Sequence, residues 1–200
     1  MAQYLQAVKS EEFYGVLYKM PTQKNTKGFT LIEVLIVVAI IGILAVLLIP
    51  NAITAIQKSK QKSTMKDIVS ISTAAADYIT DNSEWGFAQT GDINPSSDFV
   101  QAITPFYIKA CPVVDYWGEP YKVYTGDQAE VRGIQSEDIG PDDFVIESYG
   151  RDGASDGWVY DPTDTENNYY TVDNWAAFKL DMVNWNGTWL RAPRVALPAN

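Results

Sequence analysis

Residues 29–49 make up a run of 21 residues in which only Thr30, at the edge, and Glu33, inside, are polar. At a rise of about 1.5 Å per residue an α-helix of this length spans roughly 30 Å, the thickness of a bilayer's hydrocarbon core. A helix buried in a soluble domain seldom stays apolar on every face for so long. The run therefore predicts a membrane-spanning helix ending at Pro50, and it makes the rest of the chain a domain tethered behind that helix.

Glu33 is the residue that a plain anchor does not explain. A carboxylate inside a spanning helix is costly and marks a functional site by default. The residues before the run are hydrophilic, carry Lys19, Lys24 and Lys27, and stop at Gly28. A cut after Gly28 leaves a new α-amine on Phe29, about one helical turn from Glu33 or against the Glu33 of a neighbouring helix. An amine and a carboxylate near one end of a membrane helix suit pairing with copies of itself. The stretch Lys27-Gly28-Phe29-Thr30-Leu31-Ile32-Glu33-Val34 resembles the class III leader of type IV pilins and type II secretion pseudopilins. That resemblance implies a prepilin peptidase that cuts between Gly28 and Phe29 and N-methylates Phe29, with Glu33 guiding docking into a helical filament. Residues 1–28 are then a leader removed on maturation. Residues 1–19 fit a short basic leader poorly, which makes Met20 the alternative start. Lys58, Lys60, Lys62 and Lys66 follow the run, so the positive-inside rule sets no orientation. The leader resemblance places the leader inside and the domain outside.

Two hundred residues, less leader and span, leave about 150 for one soluble domain with a modest core. No A-x-A site follows the apolar run, which argues against an ordinary secretory signal. Cys111 is the single cysteine, so no intrachain disulfide forms, and it reads as a small buried apolar residue. The chain has no histidine, which removes Ser-His-Asp and Cys-His catalysis and His-ligated zinc. The expectation is that it is not an enzyme. From Asp67 onward there are 22 acidic and 7 basic side chains, a balance of −15. Such a surface repels nucleic acid and anionic lipid, and it suits solubility or a divalent cation.

Beyond Pro50, residues 52–57 hold helix formers, and Ile68, Ile71, Ala75 and Ile79 follow the three-to-four spacing of an amphipathic face. One helix from Thr30 to near Thr80 is predicted, bent near Pro50. Residues 29–50 belong to the membrane or a filament core, and residues 51–80 pack on the domain. Lys58, Lys62 and Lys66 share a face, as a basic stripe toward acidic neighbours or as plain solvated surface. Residues 81–200 form the globular domain. Ser96-Ser97-Asp98 caps a short helix through Ile103, ended by Pro105. Strand character recurs at 121–125, 143–149, 158–160 and 169–172, and short strands between turns favour an antiparallel sheet. Trp175, Phe178, Met182 and Trp185 at helical spacing predict a short helix over the sheet, or else an exposed aromatic patch.

Asp115-x-Trp117-Gly118-x-Pro120-Tyr121, followed by Asp143-Phe144-x-Ile146-x-Ser148-Tyr149-Gly150-x-Asp152-Gly153, is similar to the major pseudopilin of type II secretion. The resemblance covers residues 20–157. The first block reads from its residues as a structural turn around a tryptophan. The chain departs from the family at Tyr116, where proline is frequent, in the long connection 126–142, and in its tryptophan-rich end. Those departures leave a subunit of another pilin-like system open. In the second block, Asp152-Gly153-Ala154-Ser155-Asp156-Gly157 sets oxygens and glycines at short spacing, without the spacing of an EF-hand. From the residues alone this is an acidic turn. The resemblance implies calcium in the loop, with Asp152 and Asp156 as first ligands, Asp161 and Asp164 as second, and Glu166 close by.

The expected fold is α+β of the type IV pilin kind: a long N-terminal helix, half in the membrane and half against a small antiparallel sheet. The expected function is a structural subunit of a type II secretion pseudopilus, anchored by a single pass in the bacterial inner membrane with its domain in the periplasm or outside. Its partners would be the prepilin peptidase and methyltransferase, copies of itself, minor pseudopilins and an inner-membrane assembly platform. A surface type IV pilus subunit, for adhesion, motility or DNA uptake, is the first alternative. The lone cysteine speaks against it, because many such pilins close a C-terminal disulfide loop. A membrane-tethered glycan-binding module using Trp175, Trp185 and Trp189 is the second.

Overall fold

The structure, a computed structural model, describes residues 28–164 and 168–194. The chain divides into two compact units, residues 1–45 and 46–200. Helix α1 (Leu31–Asn82) starts in the first and runs through Pro50 without a break. In the first unit the side chains of residues 31–44 are exposed on every face. The helix is long and apolar enough to cross a membrane.

Within the second unit α1 buries Gln61, Thr64, Ile68, Ile71, Ser72, Ala74 and Ala75, a stripe that repeats every three or four residues as the amphipathic pattern requires. Lys58, Lys62 and Lys66 are exposed. After α1 come β1 (Thr90–Asp92), α2 (Asp98–Ile103), β2 (Lys122–Thr125), β3 (Phe144–Ser148), β4 (Tyr169–Thr171), β5 (Met182–Trp185) and β6 (Thr188–Arg194). Helix α2 begins after Ser97 as expected, but the Ser97 hydroxyl accepts from the Asn94 N–H (3.0 Å) instead of capping the helix.

The strands form one sheet in the order β1-β2-β3-β5-β6-β4. Its neighbours are antiparallel except β4 and β6, which run parallel. The sheet is therefore mixed, where a purely antiparallel one was expected. Strands β4 and β5 run in opposite directions, and β6, the return arm of the β5 hairpin, fills the place between them. It must then run with β4.

The carboxy-terminal expectation is also corrected. Residues 175–179 form only a turn of 3-10 helix, capped by the Asn174 side chain, and from Met182 the chain is strand. Asn186 (φ +47°) and Gly187 (φ +85°) close the β5–β6 hairpin, a two-residue turn that needs positive φ at both positions. The Asn-Gly pair was the readable signal, and it outweighs the helical spacing of the aromatic residues. Residues 158–160 are not a strand. Trp158 and Tyr160 instead lie against a second apolar cluster.

Alternation along the strands divides the apolar side chains between two faces. Val123, Phe144, Ile146 and Met182 pack with Ile68, Ile71 and Ala75 of α1 and with Phe99 and Ile103 of α2. Val145, Val183 and Leu190 pack on the opposite face with Ala129 and Ile134. The connection 126–142 is thus the cover of the second face. With both faces covered, β3 is buried along its whole length, and Glu147 is buried with it.

Candidate functional site

The first candidate site is the start of α1. Phe29 is 88% exposed. Among the described residues, a Cβ placed on Gly28 would meet nothing within 4 Å. Thr30 and Glu33 form a capping box. The Glu33 N–H donates to Thr30 Oγ1 (3.3 Å), and Glu33 Oε2 accepts from the Thr30 N–H (2.8 Å) and from its hydroxyl (2.8 Å). Glu33 therefore satisfies orphan donors at the helix start, a second role beside the assembly charge expected of it. The Thr-x-x-Glu spacing carried that signal. Residues 1–27, the rest of the expected leader, lie outside the described residues.

The Asp115–Tyr121 block is scaffold, as its residues suggested. Asp115 Oδ1 accepts from the N–H groups of Trp117 (2.8 Å), Gly118 (3.0 Å) and Glu119 (3.1 Å), and Oδ2 accepts from the Ser148 hydroxyl (2.7 Å). Gly118 sits at φ +99°, where a side chain is strained. Trp117 Nε1 donates to Gln57 Oε1 (2.8 Å), and the Tyr116 N–H donates to Thr64 Oγ1 (3.3 Å). The turn thereby staples the sheet to α1.

In the segment 150–164 the expected calcium ligands are not gathered. Asp152 lies 3.6 Å from Lys179 Nζ and accepts from the Ala154 N–H. Asp161 is exposed and accepts from the N–H and hydroxyl of Thr163, bonds that hold its carboxyl below the ordinary range. The Asp164 N–H donates to the Asp161 carbonyl (3.3 Å). Asp156 accepts from the Trp158 N–H (2.9 Å) and pairs with Arg191 Nη2 at 2.6 Å. Among the described residues no group of three or more acidic or cysteine side chains is placed to hold a metal ion. Glu166 lies outside them. As placed, these aspartates do not form a calcium cage: Asp152 and Asp156 are each paired with a cation, and Asp161 turns its carboxylate onto Thr163.

The residues that sequence reasoning missed stand next to them. Arg132 forks onto Glu147 at 2.9 and 3.0 Å and reaches Asp181 Oδ2 at 2.8 Å. Asp156 and Asp181 each donate a backbone N–H to the other's Oδ2, at 3.1 and 3.3 Å. Burial pushes the Asp181 carboxyl up to about 7, against the pull of Arg132. No local motif marks this set. Its members come from four segments that only the fold brings together.

The three tryptophans of the glycan-binding alternative form no platform. Trp185 packs against the second-face cluster and Trp189 against the first. Trp175 is 42% exposed, with the Arg151 guanidinium 4.7 Å from its ring centre.

An exposed apolar helix start closed by a threonine–glutamate box, followed by a small α+β domain, defines a membrane-anchored protein of the pilin-like class. Residues 23–49 match the family described as the prokaryotic N-terminal methylation motif. The chain is 30% identical over 143 residues to the type II secretion system core protein G of Vibrio cholerae serotype O1, covering 68% of this chain and 89% of that one. It is 33% identical over 112 residues to the protein of the same name from Aeromonas hydrophila, covering 53% and 78%. The same identity over 112 residues holds for that of Escherichia coli K12, covering 51% and 74%. No solved structure matches the chain. The chain belongs to the type II secretion system core protein G family.

Proposed function

We propose that the chain is a structural subunit of the pseudopilus of a type II secretion system. Helix α1 anchors it in the bacterial inner membrane, and packing against copies of itself draws it into the filament. One observation carries this reading. The apolar side chains of residues 31–44 are exposed on every face of their own helix. Lipid, or the same segment of neighbouring subunits, supplies the missing contacts. The relatives are named as a core protein of a secretion system, which agrees with a structural part rather than an enzyme.

Processing by a prepilin peptidase and methyltransferase follows from the methylation motif, with the cut between Gly28 and Phe29. Among the described residues none crowds Gly28, which agrees with a glycine required by a processing enzyme rather than by packing on the domain. Glu33 uses Oε2 for capping, and its charge serves the Phe29 amine of a neighbouring subunit. Minor pseudopilins and an inner-membrane platform are the further partners.

Intact-mass measurement of the membrane-extracted protein tests the reading. The expected mass begins at Phe29 and carries one added methyl group. In Gly28→Leu the leader stays on. An uncut wild-type chain would sink the proposal and leave a simple tether.

A further inference from the structure

We propose that in this chain the guanidinium groups of Arg132 and Arg191 hold residues 150–158 in place of a bound divalent cation. A calcium ion would act there by neutralising carboxylates and drawing the loop onto the domain. At Asp156 the charge is met, and the loop is drawn onto the domain, from inside the protein. Arg132 Nη1 donates to Ser155 Oγ (2.9 Å), while the rest of the same fork holds Glu147 of β3 and Asp181 beside β5. Arg191 of β6 holds Asp156. The reciprocal backbone bonds of Asp156 and Asp181 join the two arginines into one chain of contacts.

The arginines are not loose surface groups that an ion displaces easily. The side chains of Arg132 and Arg191 are 9% and 11% exposed, those of Glu147 and Asp181 1% and 0%. Arg191 also lies 5.1 Å from the ring centre of Trp158 and 5.7 Å from that of Tyr170, so leaving would break aromatic contacts as well. Arg132 itself stands at φ +58°, a left-handed backbone that non-glycine residues seldom adopt. The chain accepts that local strain to bring this guanidinium to Glu147, Asp181, Ser155 and the Trp158 carbonyl. A cation taking Asp156 Oδ2 would have to expel Arg191 and leave it buried without a counter-charge. The inference concerns how the domain is locked, and its test does not depend on filament assembly.

The test is thermal unfolding of the full chain in detergent, in chelator and in millimolar calcium chloride, with calorimetric titration of calcium alongside. The two wild-type melting curves should superimpose, and the titration should show no saturating isotherm. Arg191→Gln should lower the midpoint by about 5 °C or more under both conditions, whereas Lys179→Gln, at the exposed Asp152 pair, should melt like wild type. If Arg191→Gln does not fold, Asp156→Asn takes its place in the comparison. A wild-type midpoint that drops in chelator and returns with calcium, or a saturating calcium isotherm, would overturn the proposal. So would an Arg191→Gln chain, or its Asp156→Asn substitute, that melts like wild type.

Discussion

At the scale of single residues, Glu33 has two separable tasks, and the side chain allows them to be told apart. Glutamine at this position keeps an oxygen for the Thr30 N–H and so keeps the capping box, but it carries no charge. Alanine loses both. If the charge sets subunit register, Glu33→Gln and Glu33→Ala should insert in the membrane equally and both give little filament, read by sedimentation of sheared assemblies. Normal filament yield from Glu33→Gln would leave capping as the only role. Cys111 offers a second residue-level check. It is half-buried against the first-face core, and burial, followed by the charge of Asp67, pushes its thiol up to about 12. Since the thiolate is the reactive form, iodoacetamide at pH 8 should label the native chain at least about tenfold more slowly than the urea-unfolded chain. Equal rates would show that the thiol is not held in that environment.

At the scale of elements, glycines at two turns separate backbone strain from crowding. Gly187 in the β5–β6 hairpin has φ +85°, and an added Cβ would meet only the Ser72 hydroxyl at 3.7 Å. Gly150 has φ +66°, and its Cβ would fall 2.8 Å from the Phe178 carbonyl oxygen and 2.9 Å from that of Leu180. Gly187→Ala should therefore cost about 1 kcal/mol, the conformational part alone. Gly150→Ala adds a collision with backbone that cannot swing away, and about 3 kcal/mol is expected. Urea unfolding of the two variants orders them, and equal midpoints would mean that the 178–180 turn yields. Helix α1 shows the same division between local and non-local causes. Its start is set by the Thr30–Glu33 box, while the stripe from Gln61 to Ala75 is held by what packs against it.

At the scale of the whole molecule, the cover over the second sheet face and the ionic chain beneath it are one arrangement. Once residues 126–142 bury Val145 and Val183, they also bury Glu147, and a carboxylate there needs Arg132. Arg132→Met alone should cost about 3–5 kcal/mol by stranding Glu147 and Asp181, and adding Glu147→Met should recover a large part of that loss. A double variant no better than the single would mean that Asp181 is the partner that matters. The sequence alone determined the apolar span, the amphipathic stripe of α1, the α2 segment, strands β2 and β3, and the Asp115 turn. Each of these depends on neighbours within a few residues, so spacing and turn chemistry report it directly. The β5–β6 hairpin was legible too, in Asn186-Gly187, although the aromatic spacing read as a helix; the tertiary structure decided the parallel β4–β6 edge and the partners of the acidic loop. Arg132 meets Glu147 15 positions away, and Arg191 meets Asp156 35 positions away. An aspartate reads the same in sequence whether a metal or an arginine neutralises it. Only the burial of β3 from both sides, which brings four distant segments together, selects the arginine.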